Sequence, residues 1–82
     1  MNTYSYYDNE VNYIVKQIKT IFNLHAVFVE FNLKGLCYKL TFIGHPLFTF
    51  RVRIILLEEL RAKSYLTILK EISNFLIDEM EL

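Results

Sequence analysis

The spacing of apolar residues changes twice along this chain, and the two changes divide its 82 residues into helix, sheet and helix. From Tyr4 through Tyr7, Val11, Ile14, Val15, Ile18 and Ile21 to Phe22, apolar positions recur every three or four residues and draw one stripe on a helix. Asp8 or Ser5 offers a side-chain oxygen to the free N–H groups of the first turn. Lys16 and Lys19 lie toward the negative end of the helix dipole, and Asn23 is a stop signal. Together these positions predict a helix over about 6–23.

From Ala26 the period becomes two. Val27, Val29, Phe31 and Leu33 alternate with Ala26, Phe28, Glu30 and Asn32. After Lys34-Gly35, Leu36, Tyr38, Leu40 and Phe42 alternate with Cys37, Lys39, Thr41 and Ile43. After Gly44-His45-Pro46, Phe48, Phe50, Val52 and Ile54 alternate with Leu47, Thr49, Arg51 and Arg53. The pattern predicts three strands of a meander, about 26–33, 36–43 and 47–56. A two-residue Lys34-Gly35 loop sets Phe31 opposite Tyr38, Val29 opposite Leu40 and Val27 opposite Phe42, with Glu30 facing Lys39 on the other side. A slip of one residue would put Val29 and Phe31 beside Lys39 and Cys37, so the pattern selects this register. For the second hairpin, a Gly44-His45-Pro46 loop predicts Phe42 opposite Phe48, Leu40 opposite Phe50 and Tyr38 opposite Val52. Glu30, Lys39 and Arg51 then share one row of the outer face, with Arg53 nearby.

Beyond Leu57 the helical period returns through Leu60, Tyr65, Leu66, Ile68, Leu69, Ile72, Phe75, Leu76, Ile77 and Met80, predicting a helix over about 58–79. Ser64 and Glu58-Glu59 are alternative starts. The expected fold is a single two-layer α+β domain spanning 1–82, in the order α-β-β-β-α, with a three-stranded antiparallel meander and both helices packed on one sheet face.

That order of elements resembles double-stranded-RNA-binding domains and the HicA-like mRNA-interferase toxins that share the fold. Gly44-His45-Pro46 followed by Phe48-Thr49-Phe50-Arg51-Val52 resembles the second-strand region of the first family. The first resemblance implies duplex RNA binding, and the second implies RNA cleavage by a histidine. The motifs depart from both families. Where the first places a Gly-Ser-Lys-Lys-type cluster at the second helix start, this chain has Glu58-Glu59, then Arg61 and Lys63. The Gly-Ser-His motif that the second places at its first strand is absent. The resemblance therefore covers the order of elements, and no functional residue is carried over.

Charge and composition narrow the function classes. Nine basic and nine acidic residues cancel, so no global field draws the chain to nucleic acid or to an anionic membrane. No apolar window is long enough for a membrane span. The N-terminus lacks the basic and apolar regions of a signal peptide, and the single Cys37 fits a reducing compartment, so a cytoplasmic location is expected. Phe, Tyr, Met, Ile, Asn and Lys total 36 residues against 8 of Gly, Ala, Arg and Pro, which points to an AT-rich gene, as in many low-GC bacteria, their phages and plasmids.

The chemical candidates are few. Cys37 falls beside Arg53 on the expected outer face, a place where a cation would lower a thiol pKa, but no nucleophile signature surrounds it. His25 and His45 sit at strand ends without ligand spacing, and Gly35 and Gly44 are isolated turn glycines. No catalytic residue, metal or cofactor is expected.

The apolar arc of the last helix is wider than one stripe, and Phe28, Ile43 or Leu47 add to it on the outer sheet face. Apolar surface left over in this way marks an interaction surface. The expected function is a small non-enzymatic protein–protein interaction module, cytoplasmic and homodimeric, of the kind by which phages and mobile elements bind and block a host or defence protein. Phe28, Lys39, Arg51 and Arg53 are the expected partner-binding residues, and Ile68, Ile72 and Phe75 the expected dimer interface. The alternative is a nucleic-acid-binding regulator using the basic sheet face. A histidine-dependent ribonuclease acting through His45 is a third reading. Residues 25–55 carry Lys34, Lys39, Arg51 and Arg53 against Glu30, while 56–82 carry six acids against three bases, a segregation that suits oriented association.

Overall fold

A computed structural model describes residues 7–46 and 48–80. Tyr4, Ser5 and Leu47, used in the sequence reading, and Glu81, counted there among the six acids of 56–82, lie outside these residues. The elements are α1 (Asp8–Phe22), β1 (Ala26–Asn32), β2 (Cys37–Gly44), β3 (Phe48–Leu56), α2 (Leu57–Ala62) and α3 (Tyr65–Met80). The three strands form one antiparallel sheet in the order β1-β2-β3, with the helices on one of its faces, so the α+β architecture is the one the periodicity predicts.

In α1 the stripe of Val11, Ile14 and Ile18 is fully buried. The helix stops at Asn23, whose left-handed backbone (φ 54°) lets its own N–H and that of Leu24 return to the carbonyls of Thr20 and Lys19, at 3.3 and 3.0 Å. Asp8 is not a cap. Tyr7 holds that position without a side-chain cap, and Asp8 instead accepts a hydrogen bond from the hydroxyl of Tyr38, thirty residues away on β2.

The β1–β2 register matches the sequence expectation: Phe31 pairs with Tyr38, Glu30 with Lys39, Val29 with Leu40 and Val27 with Phe42. The turn is longer than expected, spanning Leu33–Leu36, with the Leu36 N–H on the Leu33 carbonyl (3.3 Å) and the Gly35 N–H on Asn32 Oδ1 (3.0 Å). Leu36, not Gly35, takes the left-handed backbone, at φ 49°. Its carbonyl accepts the Leu57 N–H at 2.9 Å, so the turn satisfies an otherwise free donor at the start of α2.

The second hairpin differs from expectation. Gly44 faces Phe48, then the register shifts, and Phe42 faces Arg51, Leu40 faces Arg53 and Tyr38 faces Ile55. Between the Gly44–Phe48 and Phe42–Arg51 pairs, Thr49 and Phe50 together oppose the single residue Ile43, which is a β-bulge. Its extra residue inverts the alternation downstream. Phe48 still points to the core, but Arg51, Arg53 and Ile55 follow it there, and Phe50, Val52, Ile54 and Leu56 turn outward.

The predicted last helix is two helices broken at Lys63-Ser64. Lys63 is extended (φ −116°, ψ 151°), and Ser64 Oγ accepts the Thr67 N–H at 3.2 Å to cap α3. Both suggested starts are used, since Glu59 reaches back to the Leu56 N–H at the head of α2 (3.0 Å). Ile68, Ile72 and Leu76 of α3 meet Val11, Ile14 and Ile18 of α1 over Tyr38, Leu40 and Phe42 of β2. Ile68 and Ile72 are therefore interior residues of the single chain, and Phe75 is half-buried beside them. This corrects their expected place on a dimer interface, because the arc of α3 is wide enough to touch both α1 and the sheet.

Ile72→Ala is expected to cost about 2–5 kcal/mol of unfolding free energy, whereas Leu66→Ala, on the exposed side of α3, stays within about 0.5 kcal/mol, as read from urea midpoints. The Tyr38 phenol is held well above its ordinary value of 10.0, first by burial and then by its hydrogen bond to Asp8 and the nearby negative charge. A raised folded-state pKa stabilises fully below the unfolded value, so stability is expected to fall as pH rises past about 10. Tyr38→Phe should cost about 1 kcal/mol at neutral pH through the lost hydrogen bond and show a shallower alkaline decline, so the two unfolding curves converge above pH 10.

Candidate functional site on the open face of the sheet

The helices cover one face of the sheet and leave the other open. Three rows cross that open face: Phe28, Thr41 and Val52; Glu30, Lys39 and Ile54; and Asn32, Cys37 and Leu56. Ala26, Ile43 and Phe50 lie at its β2–β3 turn end. Phe28 is 58% exposed, Phe50 54%, Leu56 43%, Ile54 41% and Val52 38%. Since an aromatic side chain can bury ~150–250 Å², Phe28 and Phe50 alone present on the order of 200 Å² of apolar surface. The aliphatic residues of β3 extend it to the several hundred Å² at which an apolar patch on a small protein marks a binding surface.

The sequence expectation and the structure share this face but fill it differently. Phe28 and Lys39 are on it. Arg51 and Arg53 are not, because the bulge turns them to the helical side, which corrects their expected place beside Lys39. There the Arg51 Nε donates to Glu79 of α3, and its guanidinium lies 5.4 Å from the centre of the Phe48 ring. Arg53 Nη2 lies 3.9 Å from Glu71 Oε1, with its guanidinium 5.7 Å from the Phe75 ring. Their stems cover aromatic carbon at the margin of the core while the side chains stay about one-third exposed. The basic and acidic segments of the sequence thus answer each other within one chain.

Glu71 also receives Lys63 Nζ at 3.1 Å, and Lys63 reaches Glu59 at 3.4 Å, so one ionic cluster ties β3, α2 and α3 at their common corner. The hydrogen bond to Glu71 is the main reason the Lys63 ammonium is held above its ordinary value. On the open face, Lys39 and Glu30 are cross-strand partners.

The other chemical candidates are not assembled into a site. Cys37 is 7% exposed and tucked under the β1–β2 turn, where a Cβ added to Gly35 would come within 3.2 Å of its Sγ. It lies on the face opposite to Arg53, so the cation expected beside it is not there. His25 and His45 are exposed and line one shallow depression with Phe22, Asn23, Leu24, Gly44 and Pro46, which brings no carboxylate or cation to either imidazole. Among the described residues, no group of three or more His, Cys, Asp or Glu side chains is placed to hold a metal ion, and no helix is long and apolar enough to cross a membrane. The sequence reading missed Phe50, Val52, Ile54 and Leu56 as surface residues. The available signal was the second apolar alternation of β3, which leaves one of its two faces without a cover.

No protein-family model, curated protein or solved structure matches the chain.

Arg53→Glu, which sets a carboxylate against Glu71 and uncovers Phe75, is expected to lower unfolding free energy by about 1–2 kcal/mol. The neighbouring Ile54→Gln, on the open face, should change it by less than about 0.5 kcal/mol in dilute solution. Chemical denaturation of both variants checks this assignment of faces, and equal losses would contradict it.

Proposed function

We propose that this chain is a non-enzymatic protein-interaction module that docks a protein partner on the open face of its sheet. The observation that carries the reading is the concentration of Phe28, Phe50, Val52, Ile54 and Leu56, all more than one-third exposed, on a single platform built on rigid strands. A partner fitted to it is largely apolar and uncharged at its centre, with two aromatic anchors supplying much of the affinity.

The charge distribution favours a protein partner over nucleic acid. A phosphate-binding face needs cations free to neutralise phosphates. Lys39 is the only cation among the described residues of this face, and it stands opposite Glu30, while both arginines of β3 face the acids of α3. The ionisable side chains of the face are Glu30, Lys39 and the enclosed Cys37, which line one open depression with Lys34, Asn32 and Ile54. A chain with such a surface acts by occupying a site on its partner. That mode of action suits an inhibitor of a host or defence protein, the role that the AT-rich coding signature suggests.

The test is capture with the wild-type chain and with a Phe50→Glu/Ile54→Glu variant, followed by reconstitution of the complex from the purified partner. An exposed α3 change, Asn74→Glu, serves as control. Binding of an identified protein that is lost in the sheet variant and kept in the control is expected. Binding indifferent to the sheet variant would overturn the reading. So would retention of RNA or DNA that falls steeply with salt and is lost on Lys39→Glu.

A further inference from the structure

We infer that in the free protein the open sheet face is covered by a second copy of this chain, stacked sheet to sheet as the two central layers of an α/β/β/α dimer, whose place a heterologous partner would take. The inference rests on the docking role proposed for that face and names its occupant.

Three observations lead to it. The first is charge. The platform carries one cation and one anion, Lys39 and Glu30, at paired cross-strand positions, so its net charge is zero and a second copy brings no net repulsion. A surface that is apolar and locally neutral is matched by another of the same kind, and every further copy of the chain supplies one. The second is the state of the edge. β3 pairs with a neighbour on one side only, which offers strand-to-strand pairing as a competing mode of association. Arg51 and Arg53 point inward along this strand, a recognised device against edge pairing, and Arg51 Nη1 also donates to the Phe50 carbonyl at 2.7 Å. Edge pairing through β3 is thereby disfavoured, which removes one route that competes with the face; β1, the other edge, carries no inward charge.

The third observation is size and symmetry. Three strands ~4.8 Å apart, with seven to nine residues each at ~3.3 Å per residue, make a platform roughly 14 Å by 25 Å. Stacking two such platforms buries on the order of 1,000 Å² in total, which is the lower bound for a specific interface and corresponds to a reversible dimer. A two-fold axis running across the strands at the Phe28–Thr41–Val52 row lays β3 over its mate in the antiparallel sense, within the usual ~30° of alignment for packed sheets. Val52 then meets its own counterpart, and Ile54 meets Phe50 of the other copy. The Glu30–Lys39 row lies two residues from the axis, so each charge stands four residues, about 13 Å, from its symmetry mate, beyond the ~8 Å over which exposed charges are felt at physiological ionic strength.

Sedimentation of the full chain at about 1–100 µM is the test, together with ¹⁵N–¹H NMR shifts followed on dilution. A concentration-dependent dimer is expected, with shifts concentrated at Phe28, Lys39, Thr41, Val52 and Ile54. Phe50→Glu/Ile54→Glu, which sets like charges against each other across the two-fold axis, should weaken self-association at least tenfold while the far-ultraviolet circular dichroism is kept, and Val52→Ala, a milder change that keeps the sheet, should weaken it less. A monomer throughout the range, or a dimer whose shifts map to exposed helix residues such as Tyr13 and Leu66, would overturn the inference. If a monomeric chain still loses an identified partner on Phe50→Glu/Ile54→Glu, the second copy is excluded and the docking role of the face stands. If neither self-association nor capture responds to that variant, both readings fall.

Discussion

Two helices on a three-stranded sheet can enclose one strand completely, and the structure follows from that limit. The strand is β2. Its inward residues Tyr38, Leu40 and Phe42 are at most 1% exposed, beneath Ile14 and Ile18 of α1 and Ile72 and Leu76 of α3. β1 and β3 lie at the margins. Their inward positions are Val27, Val29 and Phe31 on one side and Arg51, Arg53 and Ile55 on the other, and most of these are only half covered. A margin position is compatible with a long amphipathic side chain, which explains why two arginines can point toward the core without any buried charge. Burial and apolarity therefore coincide tightly on β2 and loosely on β3.

That looseness explains which parts of the molecule were legible in the sequence. The register of β1 on β2 was readable because a one-residue slip would expose Val29 and Phe31 and bury Lys39, so burial selects one answer. β3 has Phe48, Phe50, Val52, Ile54 and Leu56 in one set and Arg51, Arg53 and Ile55 in the other, and the first set reads as the core-facing one. The structure inverts that reading with one extra residue at Thr49-Phe50. Nothing in the alternation of a single strand announces a bulge, because the inverting residue leaves the period of two intact on either side of it. The break in the last helix was partly visible, since Ser64 and Glu58-Glu59 are both helix-start signals and both are used. The expected dimer residues Ile68 and Ile72 failed for a related reason. A wide apolar arc on one helix shows how much surface must be covered, and not whether the cover is α1 or another molecule.

The bulge also links core packing to the candidate site. By turning Arg51 and Arg53 toward α3, it sends the basic residues of the sheet to the acidic helix and leaves the aliphatic set of β3 outside. The internal ion pairs and the apolar open face are thus two consequences of one register. The pairs are weak individually, since their members are roughly one-quarter to one-third exposed. Their joint effect is positional. Glu71 is shared by Arg53 and Lys63, and Lys63 by Glu59, so the corner where β3 passes into α2 and α2 into α3 is tied from three elements.

A fixed corner matters for a surface made of strand residues. An interface on a sheet holds its shape only if the strands cannot slide, and β3 has a neighbour on one side alone. Its register is pinned at one end by the bulge and by Phe48 under Gly44, where a Cβ on Gly44 would lie 2.6 Å from the Phe48 ring. At the other end it is pinned by Leu57 on the Leu36 carbonyl and by the Glu59 carboxylate on the Leu56 N–H. Phe50, Val52, Ile54 and Leu56 lie between these two anchors. Exposed apolar side chains on a strand free to shift would form an aggregation hazard, whereas the same side chains held in one register form a surface with a definite complement.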